Sequence, residues 1–202
     1  MKITAIRAQV KNPNRVSIYI DEKYALSLNY NQLLDQKLHA GLEITEAQLH
    51  ELKRTSDFGK AYERAMMYAL LRPRSVREMQ DYCRRKKWEP EDCQVIIDKL
   101  IAKRYVNDQV FAKSWVENRA LNKSTSRRKL MLELKQKGIA DDIIQEVILG
   151  STYNESTALS ELVAKKRRLT RYKGDDQKLM QYLARQGFGF DDIKQALAQA
   201  QD

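Results

Sequence analysis

Apolar residues near the start of the chain fall on alternate positions. Ile3, Ala5 and Ile6 with Ala8 and Val10, then Val16, Ile18 and Ile20, then Tyr24, Leu26 and Leu28 predict three short strands. Asn12-Pro13-Asn14 breaks the first pair and Asp21-Glu22-Lys23 is a tight connection in the second, so the expected sheet is an antiparallel meander. Three strands alone are marginally stable in water and need a cover. A helical segment around Asn31 to Lys37 and the apolar residues Leu38, Leu42 and Ile44 can supply it. From Thr45 the spacing becomes helical, and Thr45-Glu46-Ala47-Gln48 fits a capping box.

The rest of the chain repeats itself. When Trp88, Ile139 and Phe188 are superimposed, Met79, Leu130 and Leu179 fall together upstream, followed by Cys83, Leu134 and Leu183. Downstream, Cys93, Ile144 and Ile193 coincide, as do Ile97, Ile148 and Leu197, all spaced for one helix face. Ser75, Ser126 and Asp175 share a further position, each a good N-cap, and Glu78 suits a capping box with Ser75. Each copy opens with another amphipathic helix, over Ala61 to Leu71, Gln109 to Leu121 and Glu155 to Leu169. The expected fold is mainly α: three tandem three-helix repeats in an elongated, curved array, preceded by the small β-meander and its covering helix. The expected divisions are residues 1–58, 59–107, 108–153 and 154–202.

Charge adds a partner class. The formal net charge is +10, and residues 1–58 hold 8 Lys and Arg against 7 Asp and Glu, so the excess belongs to the repeats. A positive field of this size draws polyanions, nucleic acid above all, although cations on solvated helix faces are the plain alternative. No apolar run approaches the ~18 residues that span a bilayer, and no signal peptide opens the sequence, so a cytoplasmic protein off the membrane is expected.

Catalytic and metal chemistry finds little support. Cys83 and Cys93 stand ten apart, away from His39 and His50, and occupy positions that hold Leu or Ile in the other copies, which reads as core. No Gly-x-Ser-x-Gly elbow or Gly-rich phosphate loop occurs. Glu91-Asp92, Asp141-Asp142 and Asp191-Asp192 recur at one register position; a two-metal site is conceivable there, but carboxylates opening a helix serve its dipole. They also argue against a helix-turn-helix reader, because the helix that enters the groove would open with acids facing the DNA backbone. The expectation is therefore a binding protein with no catalytic residue, metal or cofactor.

The cations form one run per copy. Arg72, Arg74 and Arg77 lead to Arg84, Arg85, Lys86 and Lys87; Lys123, Arg127, Arg128, Lys129, Lys135 and Lys137 follow; Lys165, Lys166, Arg167, Arg168, Arg171 and Lys173 close the set. Repeated with the unit, they suit contact with successive phosphates. Trp88, Trp115 and the tyrosines could stack on bases, but Trp88 shares its register with Ile139 and Phe188, and Tyr172, inside the third basic run, is the stacking candidate.

Leu70-Leu71-Arg72-Pro73-Arg74-Ser75-Val76-Arg77-Glu78-Met79, then Tyr105-Val106-Asn107-Asp108-Gln109-Val110-Phe111-Ala112, then Glu133-Leu134-Lys135-Gln136-Lys137-Gly138-Ile139 together resemble the RecX regulatory family. The resemblance covers about residues 60–200, and the strand-rich leader is similar to the extension of longer members. One departure is Leu121 to Arg128, which keeps the basic charge without the glycine common there. The resemblance implies a modulator of the recombinase RecA that lies along the RecA filament on single-stranded DNA and inhibits or destabilises it; a monomer is expected. It also implies that Ser75, Asp108, Phe111 and Gly138 hold the fold, with Asp108 as a helix cap. A nonspecific nucleic-acid-binding protein that competes for single-stranded DNA is the other reading.

Overall fold

The computed structural model describes residues 1–122 and 125–199. Among them the order is β1 (Ile3–Ala8), β2 (Arg15–Ile20), β3 (Lys23–Asn29), α1 (Tyr30–Asp35), α2 (Glu46–Leu70), α3 (Val76–Lys86), α4 (Pro90–Ala102), α5 (Asp108–Asn122), α6 (Arg127–Gln136), α7 (Asp141–Leu149), α8 (Glu155–Arg167), a 3₁₀ turn (Thr170–Tyr172), α9 (Asp176–Arg185) and α10 (Phe190–Gln199). The chain is mostly helical with an N-terminal sheet, as the pattern predicts. Two compact units divide it: Met1–Tyr68 with Cys83–Asp98, and Ala69–Tyr82 with Lys99–Asp202.

In the first unit the sheet has the order β1-β2-β3, antiparallel throughout. Asp21 and Glu22 both take left-handed backbone angles, the two-residue hairpin turn that matches strand twist. β1 ends at Ala8, and Val10, which the alternation places in the strand, is fully exposed. The free edge of β1 is closed by the following segment, with Ile3 N–H donating to Leu42 O and Gly41 N–H to Ile3 O. Ile3, Ile18, Leu28, Ile44 and Leu52 of α2 share the core, with Leu33, Leu38 and Leu42 packed against it. Thr45 and Gln48 form the expected capping box. The expected boundary at 58/59 falls inside the continuous helix α2. Gly59 admits α1 to close range: a Cβ there would lie 2.4 Å from the Gln32 amide, whose Nε2 donates to Thr55 O.

A single turn recurs between the second and third helices of each copy. Trp88 N–H donates to Cys83 O, Ile139 N–H to Leu134 O and Phe188 N–H to Leu183 O. The residue before each anchor, Lys87, Gly138 or Gly187, is left-handed, as a Schellman stop requires. Glu91 and Asp92, Asp141 and Asp142, and Asp191 and Asp192 all stand in the first turns of α4, α7 and α10. Phe111, Val116, Leu130, Leu134, Ile139 and Ile144 make one core; Leu159, Val163, Leu179, Leu183, Phe188 and Ile193 make the next.

Cys83 is buried and Cys93 half-buried, both as free thiols. Burial, aided by the Cys93 thiol beside it, pushes the Cys83 thiol up to about 12, which keeps it protonated and unreactive.

Candidate nucleic-acid interface

The second compact unit joins its helices through their N-caps. Ser75 accepts from Glu78 N–H, capping α3, while its hydroxyl donates to Lys137 O at the end of α6. Ser126 accepts from Lys129 N–H, capping α6, and donates to Gln186 O at the end of α9. A hydroxyl is the smallest group that can accept and donate at once, which is why serine fits both places. Asp175 caps α9 through Lys178 N–H.

A carboxylate completes each joint. Asp108 opens α5, whose own cap is Asn107, yet its Oδ1 accepts from Val76 N–H at 2.8 Å and so satisfies an orphan donor of α3. Glu155 does the same for Arg127 N–H and α6. Burial pushes the Asp108 carboxyl up from its ordinary value, with the Val76 bond opposing.

Gly138 and Gly187 stand against these caps. A Cβ on Gly138 would meet Arg77 Cβ at 2.9 Å, and one on Gly187 would meet Ser126 Oγ at 2.7 Å. The family-like motifs are thus built from joint residues, which sequence spacing marks but does not connect.

The joints also sort the expected cations. Arg72 grips Glu78 with two nitrogens at 2.9 and 3.1 Å, Lys137 Nζ reaches it at 2.9 Å, and Arg74 lies 3.8 Å away. Burial raises the Glu78 carboxyl, but the Arg72 and Lys137 hydrogen bonds and charges outweigh it and hold the group below its usual value. Lys135 pairs with Asp141, and Arg167 with Asp176 and Leu197 O. Lys166 sits over the Tyr182 ring and is half-buried.

Of the expected cations, the exposed ones are Arg72, Arg77, Arg84, Arg85, Lys86 and Lys87, then Arg127, Arg128, Lys129 and Lys135, then Lys165, Arg168, Arg171 and Lys173. Lys129 Nζ donates to the Gln186 amide, and Arg85 lies 3.5 Å from the Tyr68 hydroxyl. Lys123 lies outside the described residues. Arg84 to Lys87 belong to the first compact unit and the others to the second.

Tyr172 takes another role than the one its basic surroundings suggest. It is 6% exposed in the core of the third copy, packed on Tyr182 at 5.6 Å, so its ring is occupied by protein. Trp115 is half-buried, lies 5.6 Å from the Phe111 ring and is fixed by its indole N–H, which donates to Glu133 at 3.0 Å. Arg119 donates to the same carboxylate at 2.8 Å and lies 4.8 Å from the Trp115 ring centre.

No group of three or more His, Cys, Asp or Glu among the described residues could hold a metal ion. No helix among them is long and apolar enough to cross a membrane.

The family model "Regulatory protein RecX N-terminal domain" matches residues 1–45, and "RecX, second three-helix domain" matches residues 107–148, the span of α5 to α7. The regulatory protein RecX of Bacillus pumilus is 35% identical, with 99% of this chain aligned to 78% of that protein. Those of Bacillus subtilis and Listeria monocytogenes are each 31% identical, over 98% and 99% of this chain and 76% of the relative. A crystal structure of regulatory protein RecX superimposes with a TM-score of 0.80 at 25% identity, covering 98% of both chains. A second, of RecX from Lactobacillus salivarius, gives 0.60 at 27% identity over 71% of this chain and 96% of that one. With its sheet, its helical triplets and a likeness to these relatives that runs along nearly all of its own length, the chain belongs to the RecX family of regulatory proteins.

Proposed function

We propose that this protein binds the RecA filament assembled on single-stranded DNA and inhibits or destabilises it, and so regulates recombination and repair. It does so as a cytoplasmic monomer, without a cofactor or catalysis of its own. The observation that carries this reading is family membership joined to exposed cations in every copy: Arg84 to Lys87, then Arg127 to Lys129, then Lys165 with Arg168, Arg171 and Lys173. Such groups neutralise phosphates without reading sequence. The acids that open α4, α7 and α10 keep those helix ends away from a DNA groove.

Purified protein should slow RecA-driven strand exchange, or single-strand-dependent ATP hydrolysis by RecA, at substoichiometric amounts. No effect at saturation overturns the proposal. Competition for bare strand is the second reading, supported by the net charge; it requires binding to a preformed filament to be no tighter than to naked DNA and to fall steeply with salt. Charge reversal at Arg127 and Arg128, or at Lys165 and Arg168, should weaken filament binding with helicity intact. Arg74, Arg167 and Lys137 are poor positions for that experiment, because their ion pairs hold the fold.

A further inference from the structure

A cavity of about 390 Å³ opens in the second compact unit, lined by Arg72, Pro73, Phe111, Ser114, Trp115, Asn118 and Arg119. Its size lies within the range of ligand pockets, ~300–1,000 Å³. Its chemistry is specific: an indole, two guanidiniums, a hydroxyl and a carboxamide meet in one concavity.

The walls are set before any ligand arrives. Arg72 is held by both oxygens of Glu78, and Glu133 receives both the Trp115 indole and Arg119. Arg119 is stacked at 4.8 Å and Lys137 at 5.3 Å from the Trp115 ring centre. Ser114 and Asn118 stand one turn apart on α5, with the Asn118 amide donating to Ser114 O and Oγ. Beside the cavity Arg72, Arg74 and Lys137 gather at Glu78, and Arg119 at Glu133.

We infer that this cavity holds one nucleotide of a single strand, its base on the outer face of the Arg119 guanidinium that stacks on Trp115 and its phosphate toward Arg72. Planar cations and aromatic rings are the groups on which unstacked bases rest. Ser114 and Asn118 offer a hydroxyl and an amide to the base edge without a fixed pattern, which suits a strand bound irrespective of sequence. The aromatic wall of the cavity is not repeated in the third copy. Asn107 and Asn154 cap α5 and α8 in the same way, and in that register Leu162, a buried core residue, stands for Trp115. The inference rests on the functional reading above and gives it a seat for the strand.

The experiment uses the full chain carrying Trp88→Phe, a change the third copy accommodates with Phe188, so that Trp115 is the single tryptophan. A labelled oligothymidylate is titrated with anisotropy and Trp115 emission read together. Both signals should move with one midpoint, and free thymidine monophosphate should need far higher concentration. Ser114→Glu, which places a negative charge in the cavity, should weaken strand binding by at least about five-fold, the low end of one lost stacked base, with Ser114→Ala close to the parent and helicity equal in both. If anisotropy rises while Trp115 emission stays constant and Ser114→Glu binds as the parent does, the pocket assignment is overturned and the functional reading stands. Equal quenching by the mononucleotide overturns the strand in favour of a free nucleotide. Loss of both strand binding and RecA inhibition in the parent takes the functional reading down as well.

Discussion

The joint between α3 and α6 and the joint between α6 and α9 use the same backbone-directed bonds but opposite side-chain chemistry. Ser75 and Ser126 each bridge an N-cap to a helix-end carbonyl, and Asp108 and Glu155 cap the first N–H of α3 and of α6. Where the first joint then places Glu78 among Arg72, Arg74 and Lys137, the second has the exposed pair Lys129 and Gln186. Backbone donors and acceptors must be satisfied in any copy. The side chains beside them can differ, so the first joint carries a half-buried ion network and the second leaves its cation on the surface.

The largest break in that comparison should come from Glu78→Gln. It leaves three cations without their shared charge and should cost about 2–3 kcal/mol, read as a lower urea midpoint at unchanged slope. Lys129→Gln at the matching position should cost less than about 0.5 kcal/mol.

Ser75→Ala and Ser126→Ala should be alike. Each removes a cap worth about 1 kcal/mol and a hydroxyl-to-carbonyl bond worth about 1 kcal/mol. A difference between them larger than about 1 kcal/mol would show that the ion network, not the shared bonds, sets the strength of the joint.

The helix stops give a smaller and two-signed test. Gly138→Ala and Gly187→Ala force a β-carbon into left-handed backbone, at about 1–2 kcal/mol each, and against Arg77 or Ser126. Lys87, with φ of +56° at the equivalent stop, already bears this strain. Lys87→Gly should therefore raise the melting temperature, by up to about 1 kcal/mol in stability.

Acid should act weakly, because two groups at one joint oppose each other. Glu78, held low, stabilises above its unfolded value and loses that contribution as pH falls through its folded value. Asp108, held high, costs stability above its unfolded value and regains it as pH falls through its raised folded value. Relative to the parent, Asp108→Asn should therefore be more acid-sensitive and Glu78→Gln less so, in urea midpoints taken from neutral pH down through the carboxylate range.

The sequence by itself determined whatever depends on neighbours within a few residues. The strands and their turns, the N-caps Thr45, Ser75, Ser126 and Asp175, and the register of Trp88, Ile139 and Phe188 follow from local periodicity and local backbone demand. Tertiary structure alone decided the partners. Asp108 was legible as a cap, but its donor lies on α3, 32 residues back, so nothing near it in the chain names Val76. Arg72, Arg74 and Lys137 look like members of a basic run until Glu78 gathers them, and Tyr172 looks like a stacking ring until the fold buries it on Tyr182. Charge and aromaticity are visible in a sequence, whereas desolvation and pairing arise only when distant segments close on one another.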